Sequence, residues 1–113
     1  MSLDVYLMVT QPVSVYDGNI THNLGKMAAA VKLSNGMTLY QILWRPDEHG
    51  FKYAKDISDL LDIGWNILLS SPEEYKKYNP ENGWGSYEGL VDFVYKYRNA
   101  CWDNPEAELS VWR

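Results

Sequence analysis

The two ends of this chain carry strand patterns, whereas the segment between them is mostly helical in pattern. Residues 3–9 mix β-branched, aromatic and aliphatic side chains with partial alternation, which predicts a strand ended by Gln11-Pro12. Residues 106–112 alternate, with Ala107, Leu109 and Val111 expected to point inward. Since antiparallel sheets commonly bury one face only, we predict a small antiparallel sheet that pairs the N- and C-terminal strands.

Helical periodicity and capping residues account for most of the chain between these strands. We predict helices at residues 19–31, 55–69, 72–78 and 87–102. A short strand at residues 13–16 is expected to end in a turn at Asp17-Gly18. Residues 39–44 are apolar and short, so periodicity leaves them open between a strand and a helical turn. The prediction is an α+β fold of three to four helices packed on the sheet, in a single domain spanning residues 1–113.

Composition narrows the classes of function. The chain has 113 residues and a net charge of −5, which argues against direct binding of nucleic acid because phosphate neutralisation needs surplus Lys and Arg. Cys101 is the single cysteine, so an internal disulfide is excluded and a Cys/His zinc cluster is disfavoured. We expect a cytoplasmic protein without membrane association. No apolar run approaches the roughly 20 residues of a membrane span, and residues 1–4 lack the basic region of a signal peptide.

Four short stretches form a specific set when they are taken together. They are residues 19–24 (Asn-Ile-Thr-His-Asn-Leu), 43–48 (Leu-Trp-Arg-Pro-Asp-Glu), 54–56 (Ala-Lys-Asp) and 82–88 (Asn-Gly-Trp-Gly-Ser-Tyr-Glu). With them the chain resembles a family of small uncharacterised proteins of bacteria and their phages, over most of residues 19–113. The resemblance implies a bacterial or phage-encoded domain with no assigned activity. The chain departs from the family at residues 32–38, where the family has a shorter connection.

The first stretch places polar side chains near the start of the first predicted helix. His22 can serve there as a hydrogen-bonding group or general base that faces a pocket, with Asn19, Thr21 and Asn23 beside it. A helix N-terminus also suits an anionic group, because it presents free N–H groups. The alternative is that these residues only cap the helix and satisfy one another.

The second stretch places an arginine directly before a proline. Pro46 is expected to hold Arg45 extended, next to Trp44. Arg45 can then clamp an anion with its two-pronged guanidinium. The alternative is an ion pair with a nearby carboxylate.

The last stretch is a glycine-containing loop that opens the final helix, with Asn82, Trp84, Ser86 and Tyr87 as candidate ligand-binding residues. Its glycines permit close approach of the backbone, and Ser86 is expected to cap the helix. The spacing is neither a dinucleotide fingerprint nor a nucleophile elbow. The alternative is a tight turn whose Trp84 ring fills the core.

Three hypotheses of function remain. The favoured one is a binding module for an anionic, planar or nucleotide-like small molecule, at a pocket formed where the three stretches meet. The resemblance extends this to a phage protein that sequesters a host signalling nucleotide. The second is an acidic module that binds a host protein through carboxylates such as Glu73, Glu74, Asp92 and Glu106.

The third hypothesis is an enzyme that uses His22 as general base. It is the weakest of the three because no sequence motif indicates a partner residue for His22. We expect no cofactor and no metal, because Asp56, Asp59 and Asp62 are best explained as a solvated helix face. Cys101 is expected to be a buried small hydrophobe rather than a nucleophile. Homo-oligomerisation through exposed aromatic side chains stays open.

Overall fold

The computed structural model describes residues 2–10 and 13–113, and this part of the chain forms an α+β fold with five α-helices packed on a three-stranded antiparallel sheet. The predicted break at Gln11-Pro12 lies outside the described residues. The elements, with two 3-10 turns at His22–Leu24 and Pro46–His49, are β1 (Ser2–Thr10), β2 (Val13–Thr21), α1 (Gly25–Ala30), α2 (Leu39–Trp44), α3 (Ala54–Ser70), α4 (Pro72–Lys76), α5 (Tyr87–Asp103) and β3 (Glu108–Trp112).

The sheet has the strand order β2-β1-β3, so the predicted pairing of the two terminal strands is confirmed. Asp4 lies opposite Trp112, and Leu7 lies opposite Leu109. The inward side chains of β1, among them Leu3 and Leu7, are fully buried. Strand β1 is therefore the centre of the sheet, and its alternation puts one face on the core.

The second strand is longer than the sequence predicted, and the first predicted helix is correspondingly wrong at its start. Asp17 and Gly18 do not end the strand in a turn; they pair with Tyr6 and Val5 of β1. Nine residues of hydrogen-bonded ladder outweigh the local turn preference of Asp-Gly. Asn19 is consequently a strand residue rather than a helix cap, and the helical part begins only at the 3-10 turn.

Residues 39–44 form helix α2, which settles the choice that periodicity left open. Thr38 accepts a hydrogen bond from the Gln41 N–H at 3.3 Å, and the Gln41 side chain accepts one from the Thr38 N–H at 2.9 Å. This reciprocal pair is a capping box. The helix lies close to α3, since a Cβ added at Gly64 would come within 2.8 Å of Leu39 Cδ1.

Helices α3 and α5 match the predicted segments closely, whereas α4 ends earlier, at Lys76. The two long helices pack together, and α5 also contacts β2. Its stripe of Leu90, Val94, Tyr97 and Cys101 is fully buried, as the pattern predicted. Within the described residues, no helix is both long enough and apolar enough to cross a membrane.

Candidate functional site

Two of the four sequence stretches meet where the loop before α5 packs on the 3-10 turn after β2. The Asn23 side-chain amide donates a hydrogen bond to the Trp84 carbonyl at 3.3 Å. Gly85 has φ +106°, and a Cβ there would lie 2.8 Å from Thr21 Cγ2 and 3.0 Å from Leu24 Cγ. Only glycine combines this backbone angle with so close an approach. The contact brings residues 19–24 and 82–88 together in space.

A depression of ≈ 760 Å³ lies beside this contact, and we call it the amide groove. Five of its six lining residues are of polar type and the sixth is a tryptophan; they are Ser2, Asn19, Thr21, His22, Asn23 and Trp84. The Trp84 side chain is 71% exposed, which excludes the alternative that its ring fills the core. An exposed indole at the rim of a polar groove offers a flat apolar surface to a ligand.

The asparagines of the amide groove are held in place by hydrogen bonds through their amide nitrogens. Asn19 Nδ2 donates to Ser2 Oγ at 2.8 Å and to Asp4 Oδ1 at 2.6 Å. Asn23 Nδ2 donates to the loop, as described above. Each amide therefore keeps its oxygen as an acceptor for a donor on a ligand.

His22 lies between the amide groove and a second, smaller depression, and it lines both. Its Nε2 is buried and has no hydrogen-bond partner in the part of the chain that the structure describes. Its ring meets Trp44 edge-on, with ring centroids 6.1 Å apart. An unpaired buried polar atom costs about 1–3 kcal/mol, and a ligand in either groove reaches Nε2 only if the ring moves.

The second depression, of ≈ 270 Å³, is called here the arginine groove. It is lined by His22, Tyr40, Trp44, Arg45 and Arg113. Tyr40 stacks on Trp44 with ring centroids 5.2 Å apart and an interplanar angle of 12°. Trp44 is only 2% exposed, so it forms the wall of the groove behind Tyr40 rather than a free stacking surface.

Both guanidinium groups of the arginine groove are already paired with carboxylates. Arg45 Nη1 lies 2.8 Å from Glu48 Oε2. Arg113 binds Asp47 through both Nη atoms, at 2.9 and 3.1 Å. The Tyr40 hydroxyl and the Glu48 carboxylate raise the pKa of Arg45, and Arg113 lowers the pKa of Asp47. The ion pair that the sequence left open for Arg45 is thus present, and an incoming anion must share the guanidinium with Glu48.

The remaining candidates, Asn82, Ser86 and Tyr87, line neither groove and shape the loop that carries Trp84. Asn82 Oδ1 accepts a hydrogen bond from the Trp84 N–H at 2.9 Å. Ser86 Oγ caps α5 by accepting one from the Gly89 N–H at 3.1 Å. Tyr87 is buried, and its hydroxyl donates to the Leu68 carbonyl. In this geometry the three residues position Trp84.

Sequence reasoning missed three residues that line the grooves: Ser2, Tyr40 and Arg113. Tyr40 precedes Trp44 by four residues, so an assigned helix at 39–44 would have put the two rings on one face. Ser2 lies opposite Thr21 in the β1–β2 register, which no local pattern reveals. Arg113 reaches the groove only because β3 pairs with β1.

The described residues hold no group of three or more His, Cys, Asp or Glu side chains that could bind a metal ion. Asp56 and Asp62 have separate structural tasks: Asp56 accepts hydrogen bonds from two backbone N–H groups at the start of α3, and Asp62 pairs with Arg98 at 2.8 Å. Burial raises the pKa of the Cys101 thiol to about 12. A thiol that stays protonated at neutral pH is a poor nucleophile.

No model of a protein family matches this chain, and neither a curated protein nor a solved structure is significantly similar to it. The resemblance to the bacterial and phage family therefore stays a prediction from the motifs.

Proposed function

We propose that this protein is a binding module for a small planar molecule that carries an anionic group, of which a mononucleotide is the model. The observation that carries the proposal is that a polar groove with an exposed indole and a groove with two guanidiniums meet at His22. The volume of the amide groove, ≈ 760 Å³, falls within the range of about 300–1,000 Å³ that small-molecule sites occupy.

The planar part of the ligand belongs in the amide groove. Trp84 offers a ring face on which a base can stack, and such stacking is worth about 1–3 kcal/mol per base. The amide oxygens of Asn19 and Asn23 accept hydrogen bonds from exocyclic N–H groups. A ring system of any chemistry gains from stacking, so the asparagines would provide the selectivity.

The anionic part belongs at the arginine groove, and the charges around the two grooves favour this orientation. Asp4 lies against Asn19 at the far side of the amide groove and repels an anion there. Arg45 and Arg113 lie at the other side of His22. Because Glu48 and Asp47 already neutralise much of their charge, we expect a modest, micromolar affinity that weakens with salt.

Calorimetric titration with AMP, GMP and the corresponding nucleosides tests the planar half of the proposal. Trp84→Ala is expected to weaken nucleotide binding by about tenfold or more, from the lost stacking. Trp102→Ala is the matched control, because Trp102 is also an exposed tryptophan, 47% exposed, but lies at the end of α5. Equal effects of the two variants, or no binding of any compound, would contradict the proposal.

A second titration tests the anionic half. Arg45→Gln should weaken AMP but not adenosine, since only the nucleotide carries a phosphate. Lys96→Gln removes the same charge from a lysine that pairs with Asp92 on the surface of α5, and it should leave both ligands unchanged. If Arg45→Gln weakened nucleoside and nucleotide equally, Arg45 would support the groove without contacting the anion.

The two other hypotheses gain less from the geometry. Each carboxylate named for a protein interface pairs with a lysine: Glu73 with Lys76, Glu74 with Lys77, Asp92 with Lys96 and Glu106 with Lys55. His22 makes no hydrogen bond to an acidic side chain within residues 2–10 and 13–113, so a general base there lacks an orienting partner. Binding without turnover would suit the sequestration of a nucleotide signal that the motif resemblance suggested.

A further inference from the structure

The face of the sheet that points away from the helices is open to solvent. Its side chains follow from the strand register and are all partly or largely exposed, in contrast to Leu3, Val5 and Leu7 on the other face. We call it the outer sheet face, and it consists of Ser2, Asp4, Tyr6, Met8, Asp17, Asn19, Thr21, Glu108, Ser110 and Trp112.

The charge of the outer sheet face is entirely negative. It holds three carboxylates and neither a lysine nor an arginine. Glu108 has Lys52 at 3.7 Å beside the sheet, whereas Asp4 and Asp17 form no ion pair with any residue that the structure describes. On α4 and α5, in contrast, Glu73, Glu74 and Asp92 each form an ion pair with a lysine. The outer sheet face therefore offers a cationic partner two carboxylates without an ion pair among the described residues.

The register sets the two free carboxylates among aromatic rings. Asp4 lies between Asn19 and Trp112, and Tyr6 lies between Asp17 and Ser110. The two carboxylates are thus diagonal neighbours across β1 and β2, at a spacing of about 7–8 Å, with the Tyr6 ring next to both. Asn19 donates to Asp4 Oδ1 at 2.6 Å and holds that carboxylate in place.

A shallow depression of ≈ 220 Å³ marks this position, lined by Asp4, Tyr6, Asp17, Gly18 and Asn19. Its volume is below the range of about 300–1,000 Å³ typical of small-molecule sites, so it suits one side chain rather than a whole ligand. A guanidinium matches it best, because it stacks on an aromatic ring and binds a carboxylate with two parallel hydrogen bonds. Trp112, 66% exposed, offers a second ring for the neighbouring part of the same partner.

We infer that the outer sheet face docks an extended, arginine-bearing segment of a partner protein, with one guanidinium between Tyr6 and the carboxylates of Asp4 and Asp17. The outer sheet face shares Ser2, Asn19 and Thr21 with the amide groove of the nucleotide proposal, but the three residues that would hold the guanidinium line neither groove. An extended segment fits because three neighbouring strands present a face about 10 Å across at the usual strand spacing. Charge complementarity speeds such an encounter, and the rings supply burial.

Fluorescence anisotropy with a labelled peptide, Gly-Ser-Arg-Gly-Ser-Arg-Gly-Ser, tests the inference. The double variant Asp4→Asn, Asp17→Asn keeps side-chain shape and removes two charges, and it should weaken binding by about tenfold. The matched control is Glu73→Gln, Glu74→Gln, which removes the same charge from α4 and should change affinity less than about twofold. Replacing both arginines of the peptide by lysine should also weaken binding to the unmodified protein.

Other outcomes would overturn the inference. Equal weakening in both double variants would show attraction to net charge alone. A dimer that sediments as such and dissociates in the Asp4, Asp17 variant would assign the face to a second copy of the chain. Tyr6→Leu is an independent test of the stacked geometry. It should abolish the preference for the arginine peptide over the lysine peptide, and an unchanged preference would exclude stacking on Tyr6. Melting curves of each variant check that the fold is retained.

Discussion

Gly85 is the residue at which the two halves of the amide groove touch. Its φ of +106° is unfavourable for any side chain, and the space that a Cβ would need is filled by Thr21 and Leu24. The backbone of the loop can approach the 3-10 turn closely enough for the hydrogen bond between Asn23 and Trp84 only because this side chain is absent. The glycine therefore positions an exposed tryptophan without touching a ligand.

We expect Gly85→Ala to lower the free energy of unfolding by about 2 kcal/mol or more, from backbone strain and steric overlap together. Gly83→Ala is the matched control, because Gly83 also has positive φ, +79°, but has nothing within 4 Å of its Cβ position. That variant should lose only about 1 kcal/mol, for the left-handed backbone. Urea denaturation measures both, and equal losses would contradict the tight packing at Gly85.

At the residue scale, the sequence predicted part of the candidate site. Asn19, His22, Asn23 and Trp84 do share one groove, and their motifs drew attention to them. The alternative for Trp84, a ring inside the core, rested on the general tendency of large aromatic rings to be buried. The exposure of Trp84 follows from the packing of Gly85, which no local pattern records.

At the element scale, the segments with long periodic patterns were predicted well and the short ones poorly. Helices α3 and α5 have 17 residues each, enough for a buried stripe to be recognised. Strand β2 was predicted too short because Asp-Gly is a strong turn pair locally, whereas its pairing with β1 is a tertiary interaction. Helix α2 has six residues, too few for periodicity to separate a helix from a strand.

The capping box explains why α2 is helical although it has only six residues. Thr38→Ala removes the side-chain acceptor of the Gln41 N–H and should lower the free energy of unfolding by about 0.5–2 kcal/mol. Thr38→Ser keeps the hydroxyl and should stay within about 0.5 kcal/mol of the unmodified protein. Chemical denaturation of the two variants checks this. Equal destabilisation by alanine and serine would mean that the methyl group of Thr38, and not the cap, is what matters.

At the scale of the whole molecule, three weakly acidic side chains meet where α5 packs against β2: Tyr97 and Cys101 are fully buried, and Tyr16 is partly buried. Tyr16 stacks on Tyr97 with ring centroids 5.8 Å apart, and Cys101 lies one turn further along α5. Burial raises the pKa of Tyr16 to about 12 and that of Cys101 to about 12, and it raises the pKa of Tyr97 well above 10. All three groups are therefore neutral in the folded protein at physiological pH.

These shifts make the fold sensitive to alkaline pH. The unfolded chain releases the Cys101 proton near pH 9.0, its ordinary value, whereas the folded chain holds it up to about 12. Stability from this thiol is thus complete below pH 9 and is lost as pH rises towards 12, by up to about 1.4 kcal/mol per pH unit. We expect Cys101→Ala to lose less stability than the unmodified protein between pH 8 and pH 10.5, in urea denaturation at each pH. Parallel curves for the two proteins would contradict the shift.

The central position of β1 has a consequence for how the protein reaches its fold. On one side β1 pairs with β2, which follows it directly in the chain. On the other side it pairs with β3, which places Trp112 opposite Asp4. This second pairing closes a loop of about 100 residues and costs roughly 4 kcal/mol of chain entropy. One edge of β1 therefore stays unpaired in the β1–β2 hairpin until β3 has been synthesised. During that interval the unpaired edge of β1 can pair with β3 of a neighbouring molecule. Synthesis of many chains close together would therefore favour a strand-exchanged dimer over the monomer.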